Sequence, residues 1–84
     1  MLTRAEFEGL SYDEKCEIVF TCGIVCALKE NSTHLFNLYK IANFFVEAWY
    51  GKSSNIFEEF IVLNDHVEIY ADKTTQRITY RILS

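Results

Sequence analysis

Two periods divide the chain. Up to about residue 30, apolar side chains recur every three or four positions; beyond it they alternate with polar ones. Thr3 opens the first helical stretch as N-cap, with Glu6 three residues on to complete a capping box and Leu2 placed to staple against Phe7. Gly9 stops that turn. Ser11 and Glu14 repeat the capping box, which predicts a longer helix from Tyr12 to Lys29, closed by Asn31. On this helix Tyr12, Cys16, Val19, Phe20, Gly23, Cys26 and Ala27 share one face, while Asp13, Glu14, Glu17 and Thr21 occupy the other. From Cys22 to Leu28 the run CGIVCAL is apolar all round, which asks for burial on more than one side. Gly23 costs about 1 kcal/mol against Ala in a helix interior, so it reads as a point of close packing against a sheet or a partner helix.

The alternating part predicts three strands, Thr33 to Ile41, Phe44 to Tyr50 and Ile56 to Leu63, rich in aromatic and β-branched residues. Ala42-Asn43 makes a tight hairpin turn and Gly51-Lys52-Ser53-Ser54-Asn55 a looser one. Joints this short make the strands antiparallel neighbours, a three-stranded meander with the long helix across one face. The last segment has two readings. Asn64 can cap a helix over 65–73, with Asp65 and Glu68 in its first turn and Lys73 in its last, followed by a strand over 76–83. Alternatively HVEIYA and QRITYRIL form a hairpin around Asp72-Lys73-Thr74-Thr75. The helix is preferred. The expected fold class is therefore α+β in one domain over residues 1–84: a short helix and a long helix, a three-stranded antiparallel meander, then a short helix and a C-terminal strand.

The strand NFFVEAWYG carries large apolar side chains on both faces. Phe44, Val46, Ala48 and Tyr50 point one way, expected to join Phe36 and Leu38 beneath the long helix. The opposite face is expected to carry Leu35, Asn37, Tyr39, Ile41, Phe45, Glu47 and Trp49, a mixed aromatic and polar surface. Trp, Tyr and Phe give large contact area and, for Trp and Tyr, a polar handle, so this face is the candidate binding surface. The bland alternative is that the chain's own C-terminal helix and strand cover it as a second core layer.

Composition sharpens this picture. Half of the 84 residues are hydrophobic and thirteen are aromatic (seven Phe, five Tyr, one Trp). A domain this small removes only about 60% of its unfolded chain's surface from water, so some rings are expected at a surface that a homodimer would cover. Net charge is −4, with three basic and six acidic residues over 1–30 and five basic and six acidic over 31–84. The one local basic excess, Lys73, Arg77 and Arg81, is too sparse for a phosphate-binding stripe, so nucleic acid is not an expected partner. The longest mainly apolar run, Ile18 to Leu28, is too short to span a bilayer, and no secretory signal is legible. Three cysteines, Cys16, Cys22 and Cys26, do not make a secreted disulfide framework; a cytoplasmic protein is expected.

The order Leu2-Thr3, Glu6-Phe7, then Ser11-Tyr12-Asp13-Glu14-Lys15, then Leu38-Tyr39 and Phe44-Phe45-Val46-Glu47-Ala48-Trp49-Tyr50 resembles a group of small uncharacterised proteins from Bacteroidetes. Those carry an N-terminal helical hairpin followed by a strand similar to FFVEVWY, and the resemblance covers most of residues 2–73. It implies a closing helix over Asn64 to Lys73. This chain departs from the group in Glu58 and Glu59, where the group tends to be basic, and in the added tail TTQRITYRILS. The resemblance carries no activity with it.

Candidate chemistry is thin. Cys22 and Cys26 stand one helical turn apart on the expected helix, but a structural zinc site needs four ligands, and His34 and His66 are remote; no metal or other cofactor is expected. Cys16 has no activating cation or base in view, and there is no phosphate loop or serine motif, so the chain is read as non-enzymatic. Adjacent strand residues face opposite ways, so Glu58 and Glu59 are not a working carboxylate pair. The expected function is a small protein–protein interaction module, homodimeric through the aromatic sheet face or the apolar half of the helix. One rival is a small-molecule binder in which Trp49, Tyr39, Phe45 and Asn37 form a pocket with Glu47 as anchor for a cation. The other is an acidic inhibitor that occupies a basic site on a partner protein.

Overall fold

The capping boxes are built as their residue types dictate. In the computed structural model, which describes residues 1–83, the Thr3 and Ser11 hydroxyls accept the Glu6 and Glu14 N–H groups at 3.1 and 3.2 Å, and each glutamate reaches back to its cap N–H at 2.9 Å. They start α1 (Arg4–Glu8) and α2 (Tyr12–Cys22). The helix expected to reach Lys29 ends at Cys22, and the apolar run after it is strand β1 (Ile24–Glu30). Gly23 is the break: its backbone is extended (φ −77°, ψ 147°) while its N–H still donates to the Val19 carbonyl at 3.0 Å. A Cβ there would stand 2.5 Å from the Val19 carbonyl oxygen and 3.1 Å from Tyr39 Cδ1, so the chain can leave the helix this close to the sheet only as glycine. A segment apolar all round suits a strand whose two faces meet different layers as well as it suits a buried helix; period alone does not separate them.

Strands β2 (His34–Ile41), β3 (Phe44–Gly51) and β4 (Phe57–Leu63) follow, and the first sheet runs β1-β2-β3-β4, antiparallel throughout. The expected meander is thus three of the strands of a four-stranded sheet, and the expected fold class is corrected to two helices followed by six strands in two antiparallel sheets. The second sheet is the hairpin of β5 (His66–Asp72) and β6 (Arg77–Leu83), in place of the closing helix over 65–73. Helix signals at Asn64 and Asp65 lose here to pairing. Val67, Ile69 and Ala71 alternate and lie opposite Ile82, Tyr80 and Ile78, whereas a helix would scatter them around its axis.

Face assignment follows from the β2–β3 turn. With only Ala42 and Asn43 between the strands, Ile41 lies opposite Phe44, Tyr39 opposite Val46, Asn37 opposite Ala48 and Leu35 opposite Tyr50. Directly opposed residues share a face. Leu35, Asn37, Tyr39 and Ile41 therefore lie with Phe44, Val46, Ala48 and Tyr50, and the expected grouping of Phe36 and Leu38 with that set is exchanged. Helices α1 and α2 cover this face, where Phe7, Val19, Ile41, Phe44, Val46, Ala48 and Phe60 make one core. On the opposite face Ala27, Leu38 and Leu63 pack under Tyr80 of the hairpin, joined by Cys26, Phe36, Phe45 and Val67. The strand apolar on both sides is the middle of a three-layer molecule: helices, sheet, hairpin.

Candidate functional site

Glu47 stands at the centre of the hairpin-facing side, on β3 between Phe45 and Trp49, with 5% of its surface exposed. A carboxylate this buried must be compensated. Trp49 Nε1 donates to Oε1 at 2.7 Å, the Tyr80 hydroxyl donates to Oε2 at 2.6 Å, and Lys29 Nζ lies 3.8 Å from Oε2. The same ammonium sits 4.6 Å from the Tyr80 ring centroid and 5.7 Å from that of Phe36. Burial, and then the hydrogen bond to Glu47 and its charge, push the Tyr80 phenol far above its ordinary range, which keeps it a donor. Both carboxylate oxygens are engaged from within the chain. This arrangement ties β3 to β6 across the two sheets, and the cation beside Glu47 is the chain's own Lys29.

Of the candidate binding residues, Phe45, Glu47 and Trp49 are brought to one face, and Tyr39 and Asn37 go to the other. Tyr39 lies among the helical layer, its ring 6.3 Å from that of Phe20, and burial raises its phenol pKa. Four clefts of about 180 to 340 Å³ lie elsewhere on the molecule, none of them lined by Asn37, Tyr39, Phe45, Glu47 or Trp49.

Beyond the edge of the hairpin, Trp49 continues into an aromatic group. Its ring centroid is 5.4 Å from Phe36 and 5.8 Å from His34, near the edge-on geometry rings prefer. His34 is held at both nitrogens: Nε2 meets Glu58 Oε1 at 2.8 Å, and Nδ1 meets the Thr33 hydroxyl at 2.8 Å. Glu58 also accepts from Ser54 at 2.8 Å, in space left open because Gly51 has no side chain. These two hydrogen bonds, His34 first, lower the Glu58 carboxyl pKa. With neither ring nitrogen free, His34 fastens the start of β4 to the start of β2. Sequence reading missed this pair because the residues are far apart in the chain and only the β2-β3-β4 register sets them side by side.

A group of exposed apolar side chains gathers where β1 meets the hairpin. Ile24 is 68% exposed, Val25 54% and Ile78 49%, with Leu28 also exposed. Val25, Cys26, Ala27, Leu28, Arg77 and Ile78 line a shallow cleft of about 220 Å³ between β1 and β6. On the hairpin, Ile69 and Ile82 extend the same apolar face beyond the buried Tyr80. Part of this strip is the segment CGIVCAL, whose all-round apolarity was legible in the sequence.

Among the described residues no three or more His, Cys, Asp or Glu side chains gather as a metal site would require. No described helix is long and apolar enough to cross a membrane. Compared with protein-family models, curated proteins and solved structures, the chain matches none.

Proposed function

We propose that this chain is a small non-enzymatic interaction module, and that its contact surface is the apolar strip along β1 and the β5–β6 hairpin, occupied by a second copy of the chain. The single observation that carries this reading is the exposure of Val25, Leu28 and Ile78, which together line one shallow cleft between β1 and β6. Isolated exposed aliphatics need no explanation, but a contiguous group of them is how contact surfaces are made. A two-fold contact uses one patch twice, so both exposed strips would be covered by a single association. The aromatic sheet face favoured from sequence gives way to this strip, since the hairpin already lies over Leu38, Phe45 and Glu47.

The cytoplasm is part of the same reading: Cys16, Cys22 and Cys26 are all free thiols, which suits a reducing compartment. Sedimentation equilibrium over a concentration series tests the proposal. The wild-type chain is expected to dimerise, and Val25→Glu combined with Ile78→Glu is expected to weaken the dimer by about tenfold or more, with an unchanged far-UV spectrum. A wild-type chain that stays monomeric at the highest attainable concentration would reject it.

A further inference from the structure

The first sheet has two ends, and they differ. β1 lies against β6, while among the described residues β4 closes the sheet on the other side with no strand beyond it. The hydrogen-bonding row that β4 turns outward can be worked out from the two-residue β2–β3 turn. Residues flanking such a turn exchange both backbone bonds, so Ile41/Phe44, Tyr39/Val46 and Asn37/Ala48 are the bonded pairs between β2 and β3. Phe45, Glu47 and Trp49 then direct their backbone groups at β4, to Leu63, Ile61 and Glu59. What remains on β4, the N–H and C=O of Phe60 and Val62, points away from the sheet. The Tyr12 hydroxyl confirms an outward acceptor on this strand, since it donates to the Phe57 carbonyl from α2. Alongside runs a cleft of about 340 Å³ lined by Tyr12, Lys15, Glu58, Glu59, Phe60 and Ile61.

We propose that this edge receives an extended, basic peptide segment of a partner protein as an antiparallel fifth strand. A free edge offers main-chain bonds to any extended chain, and the side chains beside it decide which chain is accepted. Glu59 and Ile61 flank the position opposite Phe60 on the hairpin-facing side, and Tyr12 lies over Phe60 on the helical side, ring centroids 5.9 Å apart. The fitting segment reads, from N- to C-terminus, β-branched opposite Ile61, apolar opposite Phe60, basic opposite Glu59. Lys15 also lines the cleft, its ammonium 5.8 Å from the Phe7 ring centroid, and the charge preference is set by Glu59 at the peptide's own register. A second copy fits less well: the chain carries −4, and self-pairing would bring two sets of Glu58 and Glu59 to one seam. The surface is independent of the dimer strip, which lies at the β1 end.

The probe is a capped synthetic peptide of alternating valine and lysine, followed by fluorescence anisotropy and by amide hydrogen exchange of the full chain. Binding is expected to slow exchange at the Phe60 and Val62 amides and not at the amides of β1. Glu59→Lys, at an exposed position, is expected to weaken binding by about tenfold, as is replacing the peptide's lysines by glutamate. Val62→Pro removes an outward N–H that no strand of the chain uses, so it is expected to fold and lose the peptide. Should that variant not fold, Glu59→Lys and the exchange map of the wild type still decide the matter. No binding, protection that maps to β1 or the hairpin, or an affinity indifferent to Glu59→Lys overturns the proposal. So does a wild-type dimer that Val62→Pro dissolves, which would make a second copy the occupant.

Discussion

A single carboxylate decides how the two sheets are joined. Glu47 is buried with one bond from Trp49 and one from Tyr80, so removing either donor strands part of a charge in a place water does not reach. Tyr80→Phe deletes only the hydroxyl, and chemical denaturation is expected to show a loss of about 1.5–3 kcal/mol, the range for a hydrogen bond to an ionised group. Gly23 is decisive for another reason. Its Cβ would press on the Val19 carbonyl and the Tyr39 ring, so Gly23→Ala is expected to cost about 1–3 kcal/mol through overpacking, read as a lower melting temperature. Along the chain Gly23 reads as a point of close packing inside a helix and Glu47 as a surface anchor; that Gly23 ends the helix and that Glu47 is buried are not visible there. What was legible is local chemistry, the paired capping boxes of Thr3/Glu6 and Ser11/Glu14, because both partners lie within one turn.

Among the elements, strands β2, β3 and β4 lie where alternation of aromatic and β-branched residues had marked them. Two others were misread for the same physical reason. An apolar run such as Cys22–Leu28 satisfies either a buried helix or a strand between layers, and the choice rests on backbone pairing with β2, a partner later in the sequence. The segment His66–Asp72 carries capping signals worth about 1 kcal/mol, and these are outweighed when a matching strand supplies a full ladder of partners. The parity of the two sheet faces was lost in a different way: it depends on whether the turn holds an even or odd number of residues, and a shift of one exchanges every side chain. That exchange separates Asn37 and Tyr39 from Phe45, Glu47 and Trp49 and dissolves the aromatic pocket expected from them.

For the molecule as a whole, the ionisable contacts bracket its stability in pH. Folding raises the Tyr80 phenol, chiefly by burial, and so the unfolded chain releases that proton first as pH climbs. The stability it contributes is complete below about pH 10 and declines above it, a decline that Tyr80→Phe is expected to reduce in alkaline unfolding curves. The carboxyls run the other way. Glu6 and Glu14 are lowered by their capping boxes, Glu30 by Lys52 and Arg77, and Glu58 by His34 and Ser54. Each contributes above the ordinary carboxylate range and loses that contribution as pH falls through its lowered value, so circular dichroism on acid titration is expected to show unfolding on that limb. By itself the sequence determined what neighbours in the chain can decide: where two helices start, that the stretches of β2, β3, β4 and β6 are strands, and how many aromatic side chains needed cover. Only the tertiary structure decided where the second helix ends, that the C-terminus is a hairpin, and that this hairpin covers one sheet face while leaving β1 and the edge of β4 open. Those outcomes rest on pairing and burial between segments tens of residues apart, where the free energy belongs to the contact and to neither segment alone.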